Sequence, residues 1–378
     1  MLLAMAFIMP LTFSVWNALL NNFVVEQAGF SGREIGILHS LREVPGFLAF
    51  TAIFILLLLR EQTFALMSLL FMSLAVAATG YFPSVVGLYA TTVIMSIGFH
   101  YFETMNQSLT LQFLPHGDTA HFMGRALAVK AVASLLAYGS IWLLMGQFEL
   151  SYKAMYLLAG TSGLALTAMI WIVFPRFEQH TVQHKKIILR KRYGLYYALQ
   201  FMGGARRQIF MVFAAFMMVE KFGYSVAQIS SLFLLNYLFN LAFAPRIGRW
   251  IETIGERRAL MLEYAGLIGV FGCYAFVETA WFAAVLYVID HFFFALAIAI
   301  STYFQKIADP ADIASNASVS FTINHIAAVV VPVLLGYVWL VSPTAVFLIG
   351  VSFAVISFGL ASLIPHQPAP GREMLRVL

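Results

Sequence analysis

The chain is short of cysteine, of charge and of long polar stretches, and each shortage excludes a class of protein. Cys273 is the only cysteine in 378 residues, so neither a disulfide framework nor a cysteine-built metal site can form. Charged residues make up 10% of the chain, against about 25% in a soluble globular domain. The period-two alternation over about ten residues that marks a membrane β-barrel is missing. The first residues carry no basic n-region and no small-residue cleavage pattern, so a removable signal peptide is not expected. No loop holds a convincing nucleophile–base set, a phosphate-cradling glycine run or a metal cluster. The nearest approach, His116, Asp118 and His121, has the spacing of a polar turn. Neither an enzyme nor a bound cofactor or metal is expected.

What is present is apolar length. Hydrophobic residues reach 61%, and a hydrocarbon core about 30 Å thick takes about 20 of them per helix. Twelve such segments can be drawn, at 3–25, 33–59, 64–82, 84–113, 122–145, 154–174, 193–219, 226–246, 258–277, 280–305, 313–339 and 342–364. They leave no room for a sizeable extramembrane domain, and the expected fold class is an all-α polytopic membrane protein of twelve transmembrane helices.

The formal net charge of +5 invites a nucleic-acid reading, but the placement of the basic residues argues against one. With the chain entering from the cytoplasm, one set of loops and the C-terminal tail holds Arg60, Arg176, Lys185, Lys186, Arg190, Lys191, Arg192, Arg246, Arg249, Arg257, Arg258, Lys306, Arg372 and Arg376. The opposite loops hold Arg33, Lys153 and Lys221. This bias puts both termini in the cytoplasm and reports topology and attraction to anionic lipid. The expected setting is a bacterial inner membrane. The expected partners are the bilayer, a small-molecule solute and protons as coupling ion, with no nucleic acid and a monomeric state.

The longest polar stretch, 175–192, divides the chain into a bundle at 1–174 and another at 193–364, with a tail at 365–378. The halves echo each other. Gly29-Phe30-Ser31-x-x-Glu34-Ile35 returns 194 positions later as Gly223-Tyr224-Ser225-x-x-Gln228-Ile229, with Glu26 and Glu220 before them at the same offset. Ser-x-x-Glu/Gln is a capping box, in which both side chains satisfy free N–H groups at a helix start. Two copies at equivalent positions point to an internal duplication and hence to two pseudo-symmetric six-helix bundles.

Polar residues inside the apolar spans fall on single helix faces. Ser96, His100, Glu103, Gln107 and Thr110 are spaced by four and three in the fourth span. Ser14, Asn17 and Asn21 share a face of the first span, and Tyr196, Gln200, Gly203 and Arg207 one of the seventh. Asp290 and Ser301 lie in the tenth, and Ser318, Thr322 and His325 share a face of the eleventh. Polar groups at bilayer depth are costly and face a bundle interior or a water-filled cavity; for any one of them, a hydrogen bond between packed helices is the plain alternative.

Twelve spans in a 6+6 repeat with a basic central loop resemble the major facilitator superfamily. That family's signature, approximately G-x-x-x-D-x-x-G-x-R/K-R/K between the second and third helices of a half, is matched by Gly248-Arg-Trp-Ile-Glu252-Thr-Ile-Gly255-Glu-Arg257-Arg258. The first half has Leu59-Arg60-Glu61-Gln62-Thr63 instead, without the glycines. The resemblance implies a cytoplasmic gate loop at Gly248, Glu252, Gly255, Arg257 and Arg258. It also implies a substrate site between the halves, lined by spans one, four, seven and ten.

The ionisable residues then suggest a proton-coupled transporter of a small polar or anionic organic solute that works by alternating access. A proton-driven exporter of amphipathic drugs or lipids is the alternative. His100 and Glu103, one turn apart, are expected to carry the proton, with Asp290 as a further candidate. A fixed ion pair of Glu103 with Lys130 or Arg125 is the competing reading. Arg207, whose guanidinium suits carboxylate or phosphate, is the expected solute anchor. Asn17, Asn21, Gln107, Gln200, Lys130, Arg42 and His325 are expected to assist it. Arg206, about 100° around the helix, is expected to pack against a neighbour, and Arg42 to be neutralised by an acid elsewhere. Counting Arg42, Lys130, Arg206 and Arg207 against Glu43, Glu103 and Asp290 leaves one excess cation, slight support for an anionic solute. Pro45-Gly46, Gly203-Gly204 and Pro332 are expected bend or close-packing sites.

Overall fold

The computed structural model describes residues 1–30, 32–177, 183–184, 186–214, 217–218, 221–224 and 226–375. At some helical positions, Asn21 and Arg33 among them, it describes the backbone alone. The described residues are helical almost throughout and hold no β-strand. A helix satisfies its own backbone groups where no water can. In order these are α1 (Leu2–Ala28), α2 (Gly32–Phe47), α3 (Glu61–Thr79), α4 (Val85–Phe113), α5 (Thr119–Gly146), α6 (Tyr152–Val173) and α7 (Gly194–Gln208). There follow α8 (Val226–Ile254), α9 (Glu256–Ala275), α10 (Ala280–Ala295), α11 (Ile298–Ile307), α12 (Ile313–Val341) and α13 (Pro343–Ser362).

Among the described residues, nine stretches are long and apolar enough to cross a membrane. The expected spans outside that set are 193–219, 226–246 and 258–277. The first is diluted by Arg206 and Arg207, and the third by Arg258 and Glu263. Past the arginines, α7 passes into a π-helix at Ile209–Ala214, a local bulge that frequently marks functional positions. After Pro45, α2 tightens into a 3₁₀ turn at Leu48–Thr51. The expected tenth span breaks between α10 and α11, where Leu296 N–H and Ala297 N–H donate to Phe293 O and Phe294 O. That i→i−3 tightening changes the helical register, so Asp290 and Ser301 do not belong to one continuous face.

The duplicated sequence has a duplicated geometry. Gly29 and Gly223 have φ of 64° and 66°, the left-handed region that only glycine enters without cost. Phe30 N–H reaches back to Val24 O, and Tyr224 N–H to Met218 O, both at 3.0 Å. Each is an i→i−6 bond beside a left-handed glycine, one residue longer than the 6→1 bond of the Schellman motif. The capping serines Ser31 and Ser225, and Glu220, lie outside the described residues. Other ends follow capping rules: Ser151 accepts from Ala154 N–H to open α6, and Ser342 from Ala345 N–H to open α13.

Packing divides the chain into two compact units. The first comprises Met1–Phe113, Val129–Ile187 and Ala314–Thr322, and the second Leu114–Ala128, Ile188–Ile313 and Ile323–Leu378. In the first, α3 packs on α4 and α6, α1 on α6, and α2 on α4, around a core that includes Trp16, Phe23, Met72, Phe102 and Tyr156. In the second, α9 packs against α13 and α10, and α7 against α13. Tyr274 of α9 stacks on Phe347 of α13 with centroids 5.2 Å apart.

Candidate functional site

In the first unit, the polar face of α4 resolves into separate partnerships. His100 is buried, and its Nδ1 lies 2.9 Å from Ser96 Oγ and 3.0 Å from Ser96 O, one turn back on its own helix. Ser96 Oγ in turn donates to Arg42 O. Glu103 is gripped by Lys130 of α5, whose Nζ donates to Oε1 at 2.8 Å and to Oε2 at 3.1 Å. The two side chains keep 23% and 24% of their surface exposed, so the pair is half-buried on otherwise apolar helices. Glu103 thus makes the ion pair with Lys130 that was the competing reading, the ammonium coming from the neighbouring helix α5.

Arg42, Ser14 and Thr322 of this unit are tied locally or in packing. Arg42 is neutralised by its neighbour Glu43 at 2.8 Å, not by an acid elsewhere, since both side chains curl back to meet. Ser14 of α1 bonds Ser134 of α5 at 3.0 Å, the interhelical reading of that polar face. Asn17 on the same helix is exposed, Gln107 is half-buried, and the side chain of Asn21 lies outside the described residues. Thr322 accepts from Phe50 N–H at 3.0 Å.

The second unit holds an ion cluster that the polar-face pattern did not reveal. Arg206 Nη1 of α7 lies 3.0 Å from Glu263 Oε1 of α9, and both are almost fully buried. The guanidinium also sits 4.3 Å over the Tyr264 ring. Asp290 of α10, 2% exposed, lies within electrostatic range of both Arg206 and Glu263. Arg206 was expected to pack on a neighbouring helix, and it does, with Glu263 supplying the partner. Counting Glu263 makes the mid-membrane charges four against four, which removes the excess cation. The signal for Glu263 is in the sequence: a lone acid in an apolar span at helix-centre depth costs about 2.5–3.5 kcal/mol and calls for a partner.

The expected α7 face is split. Tyr196 is fully buried and stacks on Phe304 at 4.3 Å, a core residue and not a cavity liner. Gln200 is half-buried, donates to Tyr196 Oη at 3.1 Å, and its carbonyl accepts from Asn324. Arg207 is half-buried, His325 is buried, and Gly203 has open space around it apart from the tips of Ile300 and Arg206.

The signature loop is engaged with the segment 114–128 of the same unit. Glu252 Oε1 accepts from His121 N–H at 2.7 Å, in the first turn of α5. A carboxylate there satisfies a free N–H and complements the positive end of the helix. His121 Nδ1 lies 3.1 Å from Pro245 O, and His116 Nε2 3.1 Å from Gln305 O, so the loop histidines bond separate carbonyls. Backbones nearly touch here: a Cβ on Gly124 would lie 2.2 Å from Ala244 O, and one on Gly248 2.3 Å from Ala120 O. Gly255 has a φ of 82° and leads into α9, where Glu256 pairs with Lys306 at 2.6 Å. Arg257 is half-buried and Arg258 exposed.

The first half lacks the signature glycines, and its acid is used differently. Glu61 is buried at the start of α3 and accepts from Ser108 Oγ and Gln112 Nε2 of α4, both at 2.6 Å. The start of α12 is held instead by the central linker. In the first unit, Gln183 Oε1 accepts from Ala314 N–H at 3.1 Å, and Lys186 O from Ser315 Oγ at 2.8 Å. In the second, buried Asp312 accepts from Arg190 Nε and Nη2 and, at 2.8 Å, from Tyr193 Oη. These bonds to Asp312 raise the pKa of Arg190 above the usual guanidinium value.

Comparison with known proteins bears on the whole arrangement. The sequence model described as Major Facilitator Superfamily matches residues 196–376. No curated protein sequence matches the chain. Among solved structures, the E. coli fucose:proton symporter FucP superposes with a TM-score of 0.75 at 12% identity, covering 95% of this chain and 96% of its own. The human organic anion transporter MFSD10 does so with a TM-score of 0.74 at 13% identity, covering 95% and 97%. The proton:xylose symporter XylE, bound to 6-bromo-6-deoxy-D-glucose, gives 0.75 at 11% identity, covering 94% of each chain. The fold is therefore the all-α layout of twelve helices in two bundles.

Proposed function

We propose that the chain, whose residues 196–376 match the Major Facilitator Superfamily model, is a membrane transporter of that family that moves a small polar or anionic organic solute by alternating access, driven by protons. The observation that carries this reading is the half-buried Glu103–Lys130 pair. A buried charge pair is weak evidence of stability, since apolar residues of similar volume often serve as well, and one left partly open within apolar helices is available for exchange. A proton on Glu103 neutralises the carboxylate and frees the Lys130 ammonium for an anionic or hydroxyl group of the solute. Loss of that proton restores the pair and displaces the solute. The proton and solute thus enter and leave together.

Arg207, half-buried on α7, carries a fork of donors that suits an anionic group of a solute. Two of the structural neighbours are proton symporters of sugars and a third is an organic anion transporter by their descriptions, which supports the class of cargo. The Glu252–His121 latch would open and close once per cycle. The loop charges favour cytoplasmic termini; a bacterial inner membrane and a monomeric state complete the proposal. Counterflow in proteoliposomes tests the division of labour. Glu103→Gln should retain solute exchange and lose accumulation driven by a pH gradient. Accumulation that survives this change overturns the assignment.

A further inference from the structure

The proposed cycle makes no use of the cluster on α7, α9 and α10, which is the deepest concentration of charge in the second unit. Arg206, Glu263 and Asp290 are 4%, 1% and 2% exposed. Four of the cluster's polar atoms have no hydrogen-bond partner: Arg206 Nε, Glu263 Oε2, Asp290 Oδ1 and Tyr264 Oη. Buried polar atoms are seldom left unpaired, so these gaps need a reason.

The charge count supplies one. From α7 comes one permanent cation, Arg206, whose guanidinium does not deprotonate in proteins. From α9 come Glu263 and the phenols Tyr264 and Tyr274, and from α10 come Asp290, the phenol Tyr287 and the imidazole His291. Tyr224 approaches Tyr274, and Tyr237 of α8 approaches Tyr287. The α13 segment packed on α9 has no ionisable residue, and Lys306 of α11 is committed to Glu256. His291 follows Asp290 on α10 and points about 100° around the helix from it. Tyrosine is neutral in this setting. Two ionised carboxyls against one guanidinium would leave a net negative charge buried at membrane depth, which is far costlier than a neutral set.

We infer that Arg206, Glu263 and Asp290 form a proton-binding site that holds one proton, resident on Asp290. Glu263 keeps its charge because its Oε1 accepts from Arg206. Asp290 has no donor on Oδ1 to hold it as a carboxylate. Release of the proton leaves the cluster with one uncompensated negative charge, and rebinding restores neutrality. Only the use of this proton in driving solute rests on the transport reading; the binding site itself does not.

Infrared difference spectroscopy of the purified full-length protein at neutral pH tests it through the carbonyl stretch of protonated carboxyl groups. Wild type should show one such band that Asp290→Asn removes. Glu263→Gln should remove it too, because Asp290 then ionises against Arg206. Arg206→Met should double it, because both acids must then be neutral. Should a variant fail to fold, wild type grown on carboxyl-labelled aspartate gives the same answer: the band shifts with labelled aspartate and not with labelled glutamate. A band unchanged by Asp290→Asn, or no band in wild type, overturns the site. The result is read without solute or gradient, so failure of proton-driven uptake would leave it standing.

Discussion

Removing Arg206 from the second unit should unfold the protein far more readily than removing its partner along with it. In Arg206→Met, Glu263 loses the guanidinium 3.0 Å away and keeps no cation in a fully buried place. Breaking one side of a buried pair costs about 3–5 kcal/mol, and here Glu263 must take up a proton and stay buried without its donor. Loss of the contact over the Tyr264 ring at 4.3 Å, a buried one, adds about 2 kcal/mol. The double variant Arg206→Met with Glu263→Leu removes both charges and fills the space with apolar atoms, an exchange that is neutral or stabilising in comparable cases. With Asp290 carrying its proton, no net charge remains in the double variant, which should lie within about 1.5 kcal/mol of wild type. The coupling between the two substitutions should therefore be at least about 2 kcal/mol. Reversible unfolding in mixed SDS micelles, followed by helical circular dichroism, measures all three. A single variant that loses less than about 1 kcal/mol, or a double variant that loses the sum of the two singles, refutes the argument from buried charge.

Three further outcomes are expected. Glu252→Gln weakens a charge-assisted bond worth about 1.5–3 kcal/mol; amide exchange over residues 119–123 should speed up roughly tenfold or more, and unchanged exchange there removes the latch. Gly124→Val places a side chain where Ala244 O already stands; exchange should rise across 119–128 in this variant and stay level in Gly117→Ala, which meets nothing within 4 Å. Gln183→Ala leaves Ala314 N–H without its acceptor, at a cost of about 0.5–2 kcal/mol as for other helix-start caps; faster exchange at the first turn of α12, with α8 unaffected, is the expected mark of the linker's role.

Much of the architecture can be read from residue spacing, for reasons tied to the solvent. A bilayer accepts only segments that satisfy their own backbone, so apolar length announces most of the helices. The repeat at Gly29 and Gly223 is legible because a left-handed residue at a helix end is a local demand that glycine meets. The signature at Gly248–Arg258 was legible as well, and its Glu252 does reach a helix start. Less legible was the charge of 258–277, where attention to polar stripes passed over Glu263 because its neighbours three and four positions away, Ala259, Leu260, Gly266 and Leu267, are all apolar. A stripe is a property of one helix, whereas the Arg206 cluster is assembled from three.

Residue order is enough to announce most of the helices, where the chain turns and which groups are too polar for lipid. The partner that each such group takes comes from packing in three dimensions: Lys130 for Glu103, Glu43 for Arg42, Glu263 for Arg206, Gln183 for the start of α12. Periodicity dictates the face on which a side chain stands. The identity of what it meets depends on contacts between segments far apart in the chain, where a shift of one helix turn exchanges a lysine for a histidine.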